Sequence, residues 1–256
     1  MTSIIVAIPA RNEEERIGPC LDSVLVAAKR AHDAGCVERA DIVVAAHRCT
    51  DRTAAIARER LGGFVDGTWR VLDLDRDCSV GAVRAAAVDA ALDALPDART
   101  DDAWVFSTDA DSCVPPEWII GMLDIVERRP VARFGARGLV ELVDWDSTDD
   151  ARRRYAEIIA AGMRDGDHDH VYGANLVVRL DAYVDVGGFP DVPVGEDHAL
   201  CERLAASGRY LPGVFEPVVR TAGRVRGRAA GGLGDLLARL DRVQEREEGS
   251  GGADGT

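Results

Sequence analysis

Lysine is almost absent from this chain of 256 residues: Lys29 stands alone among 31 basic side chains, and the others are arginines. A reaction that needs a catalytic lysine must therefore use Lys29 or be rejected. Net positive charge is also lacking, since 45 acidic side chains give a formal charge of −14. This acidity argues against nucleic acid as a partner and against docking on anionic lipid through a basic patch.

The sequence also lacks C-x-x-C pairs, a secretory signal and any long apolar run. Its six cysteines are Cys20, Cys36, Cys49, Cys78, Cys113 and Cys201. This usage is typical of reduced, mostly buried thiols in a cytosolic protein. No segment approaches the ~18 consecutive apolar residues of a membrane span. The sequence therefore predicts a cytoplasmic protein with no integral membrane segment.

Strand and helix patterns alternate through the first half of the chain. Buried strands are expected at Ser3–Ile8, Asp41–Ala46, Trp69–Leu74 and Ala103–Thr108, with helices between them. Such βα units predict a single α/β domain with a mostly parallel central sheet flanked by helices. We assign it to residues 1–238 and expect a charged, Gly-rich tail over 239–256, disordered at its end.

Polar segments follow three of these strands, at the edge where ligands bind in parallel sheets. They are Pro9–Glu13, His47–Asp51 and Asp109–Asp111. The first is not a G-x-G-x-x-G loop, so a dinucleotide fold is disfavoured. Asn12 and Glu13 can hydrogen-bond a base or ribose, and can equally cap the next helix.

The segment Asp109-Ala110-Asp111 places two carboxylates on a tight turn, where they can share Mg²⁺ or Mn²⁺ and leave positions open for phosphate. A solvated turn that caps the next helix is the alternative. An EF-hand loop is excluded because its sixth and twelfth positions would be Val114 and Ile120 instead of Gly and Glu. An aspartyl-phosphate phosphatase is disfavoured because no lysine follows.

Four further groups are candidates for the site. Glu196 and Asp197, behind Gly195, suit a helix dipole or supply a carboxylate base. Gly173-Ala174-Asn175 would let the backbone approach a ligand. The arginine cluster near the end of the chain suits either phosphate binding or a basic surface loop, and its members are Arg220, Arg224, Arg226 and Arg228. The run Asp165–His170 favours an exposed loop, with His170 as the member expected to face the site.

The motifs, read in order, resemble the family 2 glycosyltransferases with the GT-A fold, and most closely their small soluble bacterial, often actinobacterial, members. The matching segments are IIVAIPARNEEERI, DIVVAAHRCTDRTAAIA, VGAVRAAA, WVFSTDADSCVPPEWI and YGANLVVRLDAYVDVGGFPDVPVGEDHALCERLAASGRYL.

The resemblance implies a metal-dependent enzyme, expected to be a hexosyltransferase, that uses a nucleotide-sugar donor. The implied donor-binding residues are Pro9, Arg11, Asn12, Glu13, His47, Asp51, Arg84, Asp109, Asn175 and Arg228. Asp109 and Asp111 would hold a divalent cation, Mg²⁺ or Mn²⁺, with His170 or His198 as a possible completing ligand. Asp197 would be the general base, with Glu196 as the competing candidate.

The resemblance also limits the reaction. Ala46 and His47 occupy the place where the family usually carries an acidic pair, and His47 is expected to contact the base or ribose. The Q-x-x-R-W motif of processive synthases is missing, so we expect transfer of a single sugar, with inversion, to a small-molecule, glycan or lipid-linked acceptor. The alternatives are a retaining enzyme of the same fold, a nucleotide-binding α/β protein of another class, or a non-catalytic binding module.

Overall fold

A computed structural model describes residues 2–93, 102–224 and 232–250, with residues 243–250 described by their backbone alone. The strands are β1 Ser3–Ala10, β2 Arg39–His47, β3 Gly67–Leu74, β4 Ala103–Ser107, β5 Ser112–Cys113, β6 Gly135–Val143, β7 Met163–Arg164, β8 Asp167–His168, β9 Leu176–Arg179 and β10 Gly213–Ala222. The helices are α1 Ile17–Asp33, α2 Thr53–Leu61, α3 Val80–Leu92, α4 Trp118–Arg128, α5 Asp149–Ala161, α6 Leu180–Asp185, α7 Glu196–Ala206 and α8 Leu233–Ser250.

One large sheet organises the domain, in the order β3-β2-β1-β4-β9-β6-β10-β5, and β7 and β8 form a separate hairpin. The strands β3, β2, β1 and β4 are mutually parallel, as is the pair β6 and β10. The strand β9 is antiparallel to both of its neighbours, β4 and β6. The predicted α/β domain with a mostly parallel sheet flanked by helices is confirmed.

Strand β1 explains why both faces of the sheet are covered. Ile4, Val6 and Ile8 belong to one apolar cluster, packed with α1 and α4, whereas Ile5 and Ala7 belong to a second, packed with α3, α6 and α7. Successive side chains of a strand point to opposite faces, so an uninterrupted apolar run requires burial on both. The carboxyl ends of β1, β2 and β4 therefore meet at one edge, between the two helical layers.

The chain beyond residue 212 differs from the expectation drawn from the sequence. No strand was expected there, yet β10 pairs with both β6 and β5, with a register shift between Val214 and Val219. Pro217 lies in this interval, and a proline cannot donate to a strand ladder, which hides the strand pattern.

Helix α8 begins at Leu233, so the predicted domain boundary at residue 238 falls inside it. Leu237 is fully buried and forms a third apolar cluster with Trp145 and Ala151, where α8 packs on α5. This packing ties the start of α8 to the domain. The end expected to be disordered is Gly249–Thr256; α8 continues through Ser250, and residues 251–256 lie outside the described residues.

Candidate active site

A cavity of about 380 Å³ opens at the carboxyl ends of β1, β2 and β4. Of the residues expected from the sequence, its lining includes Pro9, Arg11, Glu13, His47, Asp109 and Asp111. The side chains of the three polar segments therefore meet, as the strand order requires. Cys78, Ser79 and Val83 of the α3 region line a second side, and Arg224 and Leu233 close a third.

Arg84 lies behind Asp109 as a buried cation. Its guanidinium donates to Asp109 Oδ1 at 2.5 Å, to Glu196 Oε1 at 3.0 Å and to Ser107 Oγ at 2.8 Å. Burial alone would lower the pKa of Arg84, but the charges of Asp109 and Glu196 raise it above its ordinary value. A Cβ at Gly173 would lie 2.5 Å from Arg84 Nη2, so that glycine makes room for the arginine.

A second arginine, Arg224, lies between Glu13 and Asp111. Its Nη1 donates to Glu13 Oε1 at 3.1 Å, and its Nη2 contacts both Glu13 Oε2 and, at 3.2 Å, Asp111 Oδ2. Burial and the charge of Asp109 raise the pKa of Asp111 to about 6, although the charge of Arg224 opposes this. A half-buried carboxylate beside other carboxylates is poorly stabilised as an anion, and such clusters are common where a protein binds a cation.

The position of Arg224 tests whether the residues fit a divalent cation. A single nitrogen atom, Nη2, contacts the carboxylates of both Glu13 and Asp111, so both acidic groups face one point that already carries a positive charge. Carboxylate oxygens are the ligands that Mg²⁺ and Mn²⁺ prefer. Among the described residues, however, no three His, Cys, Asp or Glu side chains form a group that could hold a metal ion. The residues therefore fit a cation whose remaining ligands come from bound phosphate and water.

Glu196 and Asp197 point in different directions at the start of α7. Glu196 is buried against Arg84, whereas Asp197 Oδ2 accepts the Gly173 backbone N–H at 2.8 Å. Asp197 Oδ1 accepts both the backbone N–H of His198, at 2.8 Å, and its Nδ1, at 3.1 Å. Burial would raise the pKa of Asp197, but its contacts with His198 and Arg84 lower it, so the group is ionised at neutral pH.

Asn12 and Asp51 hold the ends of β1 and β2 together. The Thr50 backbone N–H donates to Asn12 Oδ1 at 2.8 Å, and the Glu14 backbone N–H donates to Asp51 Oδ2 at 3.1 Å. Neither side chain is part of the cavity lining. The structure therefore places both as supports for the loops that carry Arg11, Glu13 and His47.

Asn175 also lies away from the cavity, fully buried beneath the sheet edge. Its Oδ1 accepts from Trp118 Nε1 at 2.8 Å, and its Nδ2 donates to the carbonyls of Leu139 and Pro217, each at 2.8 Å. These three hydrogen bonds engage both ends of the amide. The amide therefore joins α4 to β6 and β10, and the donor contact expected of Asn175 stays a prediction.

The remaining candidates separate into three cases. The run Asp165–His170 was expected to be an exposed loop, but it contains β8, and its His168 is fully buried with Nε2 donating to the Val214 carbonyl at 3.2 Å. His170 Nε2 donates to the Ile159 carbonyl at 2.8 Å. His198 is paired with Asp197, so neither histidine is placed beside Asp111. Arg228 lies outside the described residues. The sequence did mark an arginine cluster near the end of the chain, but nothing in its pattern singled out Arg224 as the member in the cavity.

Comparison with known proteins gives a family for this geometry. The model of "Glycosyl transferase family 2" matches residues 5–187, which is more than half of the chain. No curated protein matches the chain in sequence. None of the described helices is long and apolar enough to cross a membrane.

Solved structures share the fold at low sequence identity. The mannosyltransferase PcManGT from Pyrobaculum calidifontis, in complex with GDP-Man and Mn²⁺, is 18% identical with a TM-score of 0.62, over 99% of this chain and 65% of that one. S. aureus TarS 1–349 is 13% identical with a TM-score of 0.57, over 87% and 61%. Glucosyl-3-phosphoglycerate synthase of M. tuberculosis, with Mn²⁺ and UDP-glucose, is 16% identical with a TM-score of 0.52, over 97% and 79%. The chain thus spans less than two thirds of the first two structures.

Proposed function

Because the chain belongs to glycosyl transferase family 2, we propose that it moves a single sugar from a nucleoside diphosphate sugar to an acceptor hydroxyl, with a divalent cation and with inversion at the anomeric carbon. The observation that carries this proposal is the convergence of His47, Glu13, Asp109 and Asp111 on one cavity at the carboxyl ends of three parallel strands.

The donor is assigned to this cavity by its chemistry. The side of the cavity that carries His47 is suited to the base and ribose of the donor. The acidic side is suited to the diphosphate, which it would bind through a cation. Asp111 and Asp109 would hold Mg²⁺ or Mn²⁺, with Glu13 beside them. The cation, when bound, would neutralise the charge of the leaving diphosphate, so no protein acid is required there. PcManGT and the mycobacterial synthase, whose structures contain nucleotide sugars and Mn²⁺, support this assignment by their similar fold.

Asp197 is proposed as the general base for the acceptor hydroxyl. Hydrogen bonds from Gly173 and His198 hold its carboxylate in one orientation, and its lowered pKa keeps it ionised at neutral pH. Glu196 is the weaker candidate because Arg84 already engages its carboxylate. Adjacent residues with different partners cannot both serve one hydroxyl.

Donor binding tests the proposal first. We expect UDP or GDP to raise the melting temperature in Mn²⁺ and to lose this effect in chelator, because a ligand at 100 times its dissociation constant stabilises a protein by about 2.7 kcal/mol. A screen in which no nucleoside diphosphate shifts melting, with or without Mn²⁺, would contradict it.

The base is then tested with Asp197→Asn and, as the matched neighbour, Glu196→Gln. General-base catalysis is worth about 10²–10⁴-fold, so Asp197→Asn should reduce acceptor transfer by that factor while donor affinity stays near wild type. If Asp197→Asn transfers sugar to the acceptor at a near-normal rate, Asp197 is not the general base. The anomeric configuration of the product separates inversion from retention.

A further inference from the structure

Arg224 occupies a position that the proposed reaction does not explain. It follows β10 directly, lines the donor cavity, and contacts Glu13 and Asp111 with its guanidinium. Its side chain is 26% exposed, whereas that of Glu13 is 8% exposed. The guanidinium of Arg224 therefore supplies the positive charge that a metal cation bound between these two carboxylates would supply.

The same geometry prevents a metal ion and Arg224 from using these carboxylates together. Nη2 lies within 3.2 Å of Asp111 Oδ2 and also contacts Glu13. A divalent cation on Asp111 would lie about 2.0–2.6 Å from the carboxylate oxygen, so the two positive groups would be close enough to repel strongly. A metal on Asp111 Oδ2, the oxygen that Nη2 contacts, therefore requires the guanidinium to move.

We propose that Arg224 exchanges partners during donor binding: without donor it bridges Glu13 and Asp111, and when a divalent cation arrives with the nucleoside diphosphate it releases Asp111 and binds a phosphate oxygen. This inference rests on the proposed function, because it assumes that the cavity receives a nucleoside diphosphate. A guanidinium is suited to the second role, since its planar fork of N–H donors matches phosphate as well as carboxylate.

The exchange has two opposite consequences that a structural role for Arg224 would not produce together. As a competitor of the metal, Arg224 weakens the binding of Mn²⁺ alone. As a phosphate ligand, it strengthens the binding of the nucleoside diphosphate with Mn²⁺. Removing it should therefore improve the first affinity and impair the second, because two ligands are coupled through one side chain.

The test compares Arg224→Gln with Arg220→Gln. Arg220 belongs to the same strand, and its side chain is 65% exposed and paired with Glu141 on the surface. Mn²⁺ affinity without nucleotide is measured from the electron paramagnetic resonance signal of the free ion, and UDP and GDP affinities in Mn²⁺ by calorimetry. We expect Arg224→Gln to tighten Mn²⁺ binding and to weaken nucleoside diphosphate binding, each by at least about fivefold, and Arg220→Gln to change neither.

Circular dichroism would reveal a folding defect in Arg224→Gln. The second variant, Arg224→Lys, tests the inference independently of such a defect. Lysine keeps the charge but loses the fork, so Mn²⁺ binding should stay near wild type while nucleoside diphosphate binding falls. Arg224→Gln with unchanged or weaker Mn²⁺ binding, or Arg224→Lys with undiminished UDP and GDP binding, would overturn the inference. Wild-type protein that binds neither nucleotide in Mn²⁺ would instead refute the proposed function, a result distinct from either of these.

Discussion

The substitution Asp111→Asn should stabilise the metal-free protein although it removes a proposed metal ligand. Asp111 is 19% exposed at its side chain, and burial together with the charge of Asp109 raises its pKa to about 6. At neutral pH the folded protein therefore keeps a carboxylate ionised where ionisation is unfavourable. Asparagine fills the same space and cannot ionise, while Arg224 retains its two contacts with Glu13.

The magnitude follows from the linkage between protonation and folding. The pKa of Asp111 rises from 3.8 in the unfolded chain to about 6 in the fold, and one pKa unit corresponds to 1.36 kcal/mol, so the cost at pH 7 is about 2–3 kcal/mol. Between these two pKa values the folded state binds more protons than the unfolded state. Its stability therefore falls as the pH rises through this window. Asp111→Asn should match wild type near pH 4 and exceed it above pH 6.

Urea unfolding in chelator at pH 4.5 and pH 7.5 measures this difference, and thermal melting should show a gain of about 5–10 °C at the higher pH. The control is Asp124→Asn on the exposed face of α4, where the lost ion pair with Arg128 is worth at most about 1 kcal/mol. Adding Mn²⁺ with UDP or GDP should reverse the order, because only wild type would bind them. Asp111→Asn that is less stable than wild type in chelator at pH 7.5 would refute the electrostatic reasoning.

Two further predictions concern the supports of the site. Gly81→Ala should destabilise the protein by about 1–3 kcal/mol, since its Cβ would lie 2.0 Å from the Pro190 carbonyl oxygen, whereas Gly63→Ala meets no atom within 4 Å and should be tolerated in the same urea titration. Asn175→Ala should lower the free energy of unfolding by about 2–5 kcal/mol, because it leaves the Trp118 indole N–H and two buried carbonyls without their hydrogen bonds. The nucleotide affinity of the folded variant should stay unchanged. A stable variant with weakened nucleotide binding would show that Asn175 belongs to the donor site.

Strands β1, β2 and β4 could be predicted because they are mostly apolar and buried on both faces. Ser3–Ala10 and Arg39–His47 are nearly continuous apolar runs, each bounded by polar residues, so pattern alone locates them. The strand Gly213–Ala222 could not be found in this way, because Pro217 and a register shift interrupt its pattern. Its existence depends on pairing with β6, which lies about 70 residues earlier in the chain and leaves no local signal.

In the site, too, residues marked by the local sequence could be predicted, whereas contacts between distant parts of the chain could not. Glu13, His47, Asp109 and Asp111 could be predicted because each follows a strand, and parallel strands bring their carboxyl ends together. The partners of these residues could not be predicted. Tertiary packing alone produces the hydrogen bond between Trp118 and Asn175 and the contact between Arg224 and Glu13, which are 211 positions apart.

The two aspartates of the D-x-D motif differ in the arginine that each of them contacts. Asp109 is held by Arg84, whose side chain is 4% exposed and also donates to Glu196 Oε1 at 3.0 Å and to Ser107 Oγ at 2.8 Å, so this arginine is enclosed and fixed in place. Asp111 is held by Arg224, which faces the cavity and has Glu13 as a second partner. Exchange is therefore far easier at Asp111 than at Asp109. We expect the contact between Arg84 and Asp109 to persist when the donor binds and to keep the start of α7 in place, whereas Asp111 exchanges its contact with Arg224 for the cation.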